Sequence, residues 1–344
     1  MGRPTTVTAW RASLQRQDGG GIRARAFLDA LQATGAQVDI VAVGAEAGDK
    51  AVAEGRLGRV KREFLPVPLR LRVERELAST AAGGAGLSLV SATHRWVIEN
   101  MRWSWIDYPD LWSEYAANPT ATKGPLARTV SRRQAAIWRA RERAEASTAN
   151  VVTTASWRDA QQLGATWLPT PVWSRRSAAE TRVRPTEVAG MLANFDYPPN
   201  RVALKRLREV WAPRLRAAGY ELVIAGFGSE ELGDDDVRSL GPVGSVDEFY
   251  DAVGLVLAPV ESGGGMKVKV IEALSRGLPV IADDHAVDGL PPSFARAVNL
   301  WSDGVDGIRL SDPREHVSED LDAFSVEHFN ARFTELWASS ASTP

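Results

Sequence analysis

The stretch from Gly254 to Pro292, GLVLAPVESGGGMKVKVIEALSRGLPVIADDHAVDGLPP, constrains the fold more than any other part of the chain. Gly254 to Ala258 is an apolar run with the length of a buried strand. Pro259 to Gly265 is a turn that ends in three consecutive glycines. Met266 to Arg276 has the pattern of a helix, closed by Gly277, and Leu278 to Ala282 begins a new strand. Strand, glycine turn, helix and strand in that order form a βαβ unit, whose home is a parallel sheet. Glycines ahead of a helix leave bare backbone N–H groups at the positive end of its dipole, a setting for phosphate.

Spaced at about 100° per residue, Met266, Val270, Ile271, Ala273 and Leu274 share one face, with Lys269, Glu272 and Arg276 opposite. Lys267 falls among the apolar residues but in the first turn, where its ammonium can reach a diphosphate or simply snorkel to water.

The N-terminal half begins in the same way. Thr5 to Trp10 is a first strand, Asp18 to Gly21 a glycine turn, Ile22 to about Thr34 a helix, and Val38 to Val43 a second strand. Leu87 to Ala92 is a buried strand ending at Thr93-His94, followed by a short helix from Arg95 to Met101. Trp103 to Tyr108 is another strand, running into Asp107-Tyr108-Pro109-Asp110. His94, Asp107 and Asp110 thus fall at C-terminal strand ends, where open α/β sheets place their chemistry. Asp110 and His94 also have capping roles open to them. Leu126 to about Thr148 is a long basic helix, and Trp167 to Val172 is a proline-containing linker. Asp234 to Asp236 reads as a solvated acidic loop and not as a metal motif, and Asp283-Asp284 follows a strand without a second ligand cluster.

The second half resembles the nucleotide-sugar half of GT-B glycosyltransferases of the family-4-like, group 1 kind. The resemblance rests on Pro259, Gly263, Gly265, Met266, Lys267, Lys269, Val270, Glu272, Ala273, Leu274, Gly277, Pro279, Val280 and Ile281, and then on Asp288-Gly289-Leu290. Upstream it continues through LANFDYPPNRVALKRLREVWAPRLRAAGYELVIAGFG and LGPVGSVDEFYDAV, in the family's order from Val188 to about Leu290. The Asp107 to Ser113 segment resembles the strand-end Asp-x-x-Asp-x-x-Ser of the same enzymes, and Gly19, Gly20 and Gly21 resemble the loop that faces their cleft.

The resemblance implies an α/β protein of GT-B architecture, with two doubly wound Rossmann-like domains facing across a cleft. Residues 1–170 would be the acceptor-side domain and 171–325 the nucleotide-sugar-binding domain. Residues 326–344 would be a C-terminal helix returning to the first domain. It implies a hexosyltransferase-type enzyme moving sugar from a nucleotide-diphosphate sugar, without a metal or other cofactor. Gly263, Gly264, Gly265, Met266, Lys267 and Lys269 would hold the diphosphate, with Gly226 nearby. Glu272 would hold the ribose, and the backbone at Val243 would meet the base. For an inverting reaction the base would be Asp107, then His94, then Asp110. One departure stands out: many family members carry a glutamate eight positions before the one matched by Glu272, and this chain has Gly264 there. A nucleotide-sugar epimerase of the same fold, or a non-catalytic nucleotide-sugar-binding protein, meets the same pattern.

Composition narrows the field further. The 344 residues include no cysteine, which excludes disulfides, thiolate metal sites and a cysteine nucleophile. No run of about 18 apolar residues occurs, and the first residues lack the apolar core of a signal peptide, so the expectation is a cytoplasmic protein. Of the 41 Lys+Arg and 43 Asp+Glu, residues 1–175 hold 24 and 16, leaving 17 and 27 for the rest: a basic half of +8 and an acidic half of −10. The basic half fits an anionic or lipid-linked acceptor, or peripheral contact with the inner membrane face, as well as it fits plain solvated helices. The arginine-rich 56–76 segment leaves the same choice open.

Overall fold

The computed structural model describes residues 4–15, 19–44, 77, 80, 82–117, 124–172, 187–261, 264–304, 308, 310 and 312–339. The chain folds as two units. One comprises Met1–Pro171 together with Val326–Pro344, and the other Val172–Ser325. The 56–76 segment and Gly263 lie outside the described residues.

The first unit is β1 (Pro4–Trp10), α1 (Arg11–Gln15), α2 (Gly19–Ala33), β2 (Gln37–Val43), β3 (Ala85–Ser88), α3 (His94–Asn100), β4 (Trp103–Tyr108), α4 (Trp112–Ala117), α5 (Pro125–Ala146), β5 (Val151–Thr154), α6 (Trp157–Leu163) and β6 (Thr166–Trp167). Its sheet is parallel throughout, in the order β2-β1-β3-β4-β5-β6. The order reverses between β1 and β3, and in open α/β sheets the crevice at the carboxyl ends of such a pair takes ligand.

Trp103–Tyr108 is a strand as expected, and Val151–Thr154 forms the next. The strand expected over Leu87 to Ala92 lies earlier, at Ala85–Ser88. There Gly86 lets helix α3 come down on the sheet; a Cβ at that position would sit 2.5 Å from Met101 Cγ. The core is aromatic. Trp105 stacks on Phe333 at 4.9 Å, and Phe27 meets Phe329 edge-on at 5.3 Å. Phe329 and Phe333 belong to α14 (Val326–Ala338), so the last helix of the chain is part of this unit's core.

The second unit runs through β7 (Val188–Leu192), α7 (Pro198–Arg206), a π turn (Leu207–Trp211), α8 (Ala212–Ala217), β8 (Glu221–Ala225), β9 (Arg238–Ser239), α9 (Val246–Ala252), β10 (Leu255–Ala258), α10 (Val268–Ser275), β11 (Val280–Ala282), α11 (Asp284–Val287), α12 (Pro292–Ala297), β12 (Asn299–Leu300) and α13 (Arg314–Leu321). Its parallel sheet has the order β12-β11-β10-β7-β8-β9, the dinucleotide-fold order, with its reversal between β7 and β10. Trp211 of the π turn stacks on Trp301 at 4.5 Å in its core.

Candidate functional site

In the second unit, the chain leaves β10 at Ala258, turns through Gly264 and Gly265, and enters α10 at Val268. The helix starts two residues later than the apolar pattern suggested, which puts Lys267 at the N-cap and not in the first turn. Its side chain curls back, and Nζ donates to Gly264 O at 2.6 Å and Gly265 O at 3.2 Å. Gly265 has φ +67°, and Gly289 packs so closely on it that a Cβ there would lie 2.6 Å from Gly265 O. The turn is therefore held from two sides.

Lys269 is placed differently. Its side chain is half-buried, but the ammonium itself is sealed and has no hydrogen-bond partner among the described residues. Burial drives its pKa down to about 8, with the nearby Lys267 ammonium pushing the same way and Glu272 opposing. A buried cation without a counter-ion is costly. At a helix N-terminus beside a glycine turn, the species that would relieve it is an anion such as phosphate.

Glu272 departs from the sequence reading. Expected on the polar, outward side of its helix, it is only 7% exposed. The reason lies outside its own helix: α9 covers that side, and Tyr250 donates its hydroxyl to Glu272 Oε2 at 2.8 Å. Burial raises the carboxyl's pKa, against the pull of the Tyr250 hydrogen bond, Arg276 and Lys269.

The remaining expected donor positions lie at carboxyl strand ends or in the loops after them. Gly226 follows β8 with φ +113°, where a Cβ would lie 2.2 Å from Ala193 O; only glycine permits β8 to end so close to the end of β7. Val243 is half-buried in the loop beyond β9, and Met266 half-buried beside Lys267. Asp283, just past β11, takes a two-pronged contact from Arg206 at 2.7 Å on each oxygen, and Arg206 also meets Glu261 at 2.8 Å. Asp234 closes its own loop by accepting from Val237 N at 2.8 Å, and pairs with Arg208.

In the first unit, a cavity of about 40 Å³ opens at the β1/β3 reversal, lined by Trp10, Ser13, Gly20, Arg23, Leu89 and Asp107 among others. It has room for a few waters and is too small for a sugar ring. Gly19, Gly20 and Gly21 are not a loop: they form the first turn of α2, whose leading N–H groups need no intrahelical partner. Asp107 is in β4 itself and is 1% exposed. Arg23 Nε donates to its Oδ2 at 2.7 Å and Nη2 to its Oδ1 at 2.5 Å, while Thr153 Oγ1 donates to Oδ1 at 2.6 Å. Arg23 also donates to Leu168 O at 2.8 Å. A carboxylate so occupied has little capacity left to accept a proton from an acceptor hydroxyl, which corrects the expectation that it reaches out of the strand end.

His94 is fully buried under Tyr108, their rings edge-on at 4.4 Å. Its Nε2 lies 3.1 Å from Asp107 O and its Nδ1 3.7 Å from Glu145. Glu145 also accepts from Tyr108 at 2.9 Å and from Arg141 at 2.7 Å. Burial pushes Glu145 up, but His94 and Arg141 outweigh it and hold the carboxyl below its ordinary range. The expectation that His94 enters a substrate site is corrected accordingly. Asp110, two residues beyond β4, is the exposed member of the three. Arg23 and Tyr250, and the contacts of Glu145 with Tyr108 and His94, carried no signal in the sequence, because these partners lie 84, 22, 37 and 51 residues away.

Residues 186–317 match the protein family described as group 1 glycosyl transferases. The second unit is a group 1 glycosyltransferase domain. That places the protein among the transferases, with a nucleotide-sugar-binding, Rossmann-like domain, as the sequence resemblance implied. No curated protein matches the chain.

Among solved structures, the chain is similar to HepE from Anabaena in complex with UDP, at 12% identity and a TM-score of 0.57 over 98% of this chain and 100% of that one. It is similar to sucrose-phosphate synthase from Thermosynechococcus elongatus at 16% identity and a TM-score of 0.55, over 98% and 96%. It is also similar to a glycosyltransferase from Rickettsia africae at 9% identity and a TM-score of 0.55, over the whole of both chains. These likenesses are of fold, and the fold is GT-B. No helix of the described residues is long and apolar enough to cross a membrane.

Proposed function

We propose that the protein transfers a sugar from a nucleotide-diphosphate sugar, held by the second unit, to an acceptor met by the basic first unit. The observation that carries the donor half is the buried ammonium of Lys269, without a hydrogen-bond partner among the described residues, beside a glycine turn at a helix N-terminus. A donor diphosphate would supply the missing charge, and in a site of low dielectric that interaction strengthens as negative charge collects on the leaving group. Lys267 keeps the turn in shape. With two cations and a helix N-terminus in place, transfer would proceed without a metal. Glu272 would hold the ribose and the backbone at Val243 the base, as the family resemblance implies. HepE in complex with UDP makes a uridine donor the first to try.

Asp110 takes over the role of base if the reaction inverts configuration, since Asp107 and His94 are sealed. Asp110→Asn should then lower turnover by about 10²–10⁴. Near-normal turnover with retained configuration would transfer proton abstraction to the leaving phosphate.

The reading is tested by calorimetry with UDP, GDP and ADP, followed by turnover assays with the matching nucleotide sugars in the presence of a chelator. Tight binding of one nucleotide, lost in Lys269→Met, supports it. Binding of none, or activity that vanishes with chelator and returns with magnesium, contradicts it. An epimerase would isomerise the donor without acceptor, and a binding protein would leave it intact.

A further inference from the structure

Tyr250 is buried in α9, and its hydroxyl lies 2.8 Å from Glu272 Oε2 and 3.5 Å from Lys269 O. The guanidinium of Arg276 lies over the ring, 4.6 Å from its centre. Arg276 is itself tied to α9 through Asp247, by Nε at 3.0 Å and Nη2 at 2.7 Å. It is tied to its own helix by Nη1 to Glu272 O at 3.0 Å. The four side chains make a closed frame between α9 and α10. Within it Glu272 has one oxygen engaged, while Oε1 accepts no hydrogen bond from the described residues.

We propose that Tyr250 is the positioning residue for Glu272: it holds one carboxylate oxygen so that the other is aimed, already ordered, at a ribose hydroxyl pair of the donor. The inference rests on the reading of the second unit as the nucleotide-sugar site. The physical case is one of preorganisation. A glutamate side chain left to itself must surrender rotamer freedom on binding, and a burying environment favours its neutral form. A neutral carboxyl is a poorer acceptor for ribose hydroxyls than a carboxylate. A hydrogen bond from a rigid, fully buried phenol fixes the rotamer and opposes the effect of burial before the ligand arrives. Among the charged groups around Glu272, Asp247 from α9 opposes its ionisation, while Arg276 at the C-cap of α10 and Lys269 within it favour it. From α13, Arg314 lies at the end of α10, 2.9 Å from where a Gly277 Cβ would be.

The test compares binding of UDP and 2′,3′-dideoxy-UDP, or the GDP or ADP pair where that is the base taken, to the full chain by calorimetry. Wild type should prefer the ribose form at least tenfold, and Glu272→Ala should lose that preference. Tyr250→Phe keeps the ring and its Arg276 contact, so it should fold with an unchanged melting temperature to within a few degrees. It should lose most of the preference while binding the dideoxy form as wild type does. If Tyr250→Phe keeps the full preference while Glu272→Ala loses it, the inference fails and the ribose reading stands. If Tyr250→Phe weakens both ligands equally, its role is structural and the inference also fails. If Glu272→Ala keeps the preference, the ribose reading itself fails.

Discussion

At the carboxyl end of the first sheet, the Asp107 carboxylate receives both a two-pronged guanidinium from Arg23 and a hydroxyl from Thr153. At the carboxyl end of the second sheet, the Lys269 ammonium is just as sealed but receives nothing from the described residues. The two sites are alike in fold position and opposite in electrostatics. A buried charge that is fully paired behaves as part of the scaffold, and removing one partner destabilises it. A buried charge without a partner destabilises the fold it sits in, and the fold keeps it for what it binds. On the proposed function Asp107 serves structure and Lys269 would meet the ligand, which for Asp107 reverses the weight its sequence position suggested.

The largest effect should come from opening the paired site. Arg23→Met leaves Asp107 buried without its cation and should cost about 3–5 kcal/mol of stability, read by denaturant unfolding. Asp107→Asn should also be destabilising. If Asp107→Asn is as stable as wild type yet inactive, the assignment of Asp107 to structure is wrong.

Smaller and opposite in sign is the unpaired site. Lys269→Met replaces a buried ammonium with an isosteric apolar chain and should raise stability by about 1–3 kcal/mol while abolishing nucleotide binding. A loss of stability would mean that the ammonium has a partner after all.

The smallest effect is in the pH dependence of wild-type stability. Lys269 titrates near 8 when folded, below its ordinary value of 10.5. Below about pH 8 both folded and unfolded chains carry the proton, and the full cost of the buried charge is present. Between about 8 and 10.5 the unfolded chain binds more protons, so stability contributed by this group rises with pH and then levels. A melting series from pH 7.5 to 10.5 should show this rise in wild type relative to Lys269→Met; parallel curves would remove the depressed pKa from the account.

The contrast also shows which parts were legible in the sequence. Leu255–Ala258 and Val280–Ala282 were plain because strands buried on both faces of a parallel sheet read as unbroken apolar runs. Gly277 marked the end of α10 and has φ +70° there. Gly19 to Gly21 misled because glycines suggest a loop, yet a helix's first turn accepts them at little cost. Glu272 misled because a helical wheel knows only its own helix, and the side it calls polar is covered by α9. The Arg23–Asp107 pair spans 84 residues, and no local pattern points to it.

The measurement that bears most directly on the assignment of Lys269 is the proton balance of nucleotide binding. Calorimetry near pH 8.5, repeated in buffers of different ionisation enthalpy, would follow the nucleoside diphosphate that binds best among UDP, GDP and ADP. A phosphate seated against Lys269 restores its charge, so wild type should take up a substantial fraction of one proton per nucleotide bound. That uptake should shrink towards pH 7, where the lysine is already charged. Binding with wild-type affinity in Lys269→Met, or binding to wild type with no proton uptake at pH 8.5, would contradict the assignment of this buried cation to the donor.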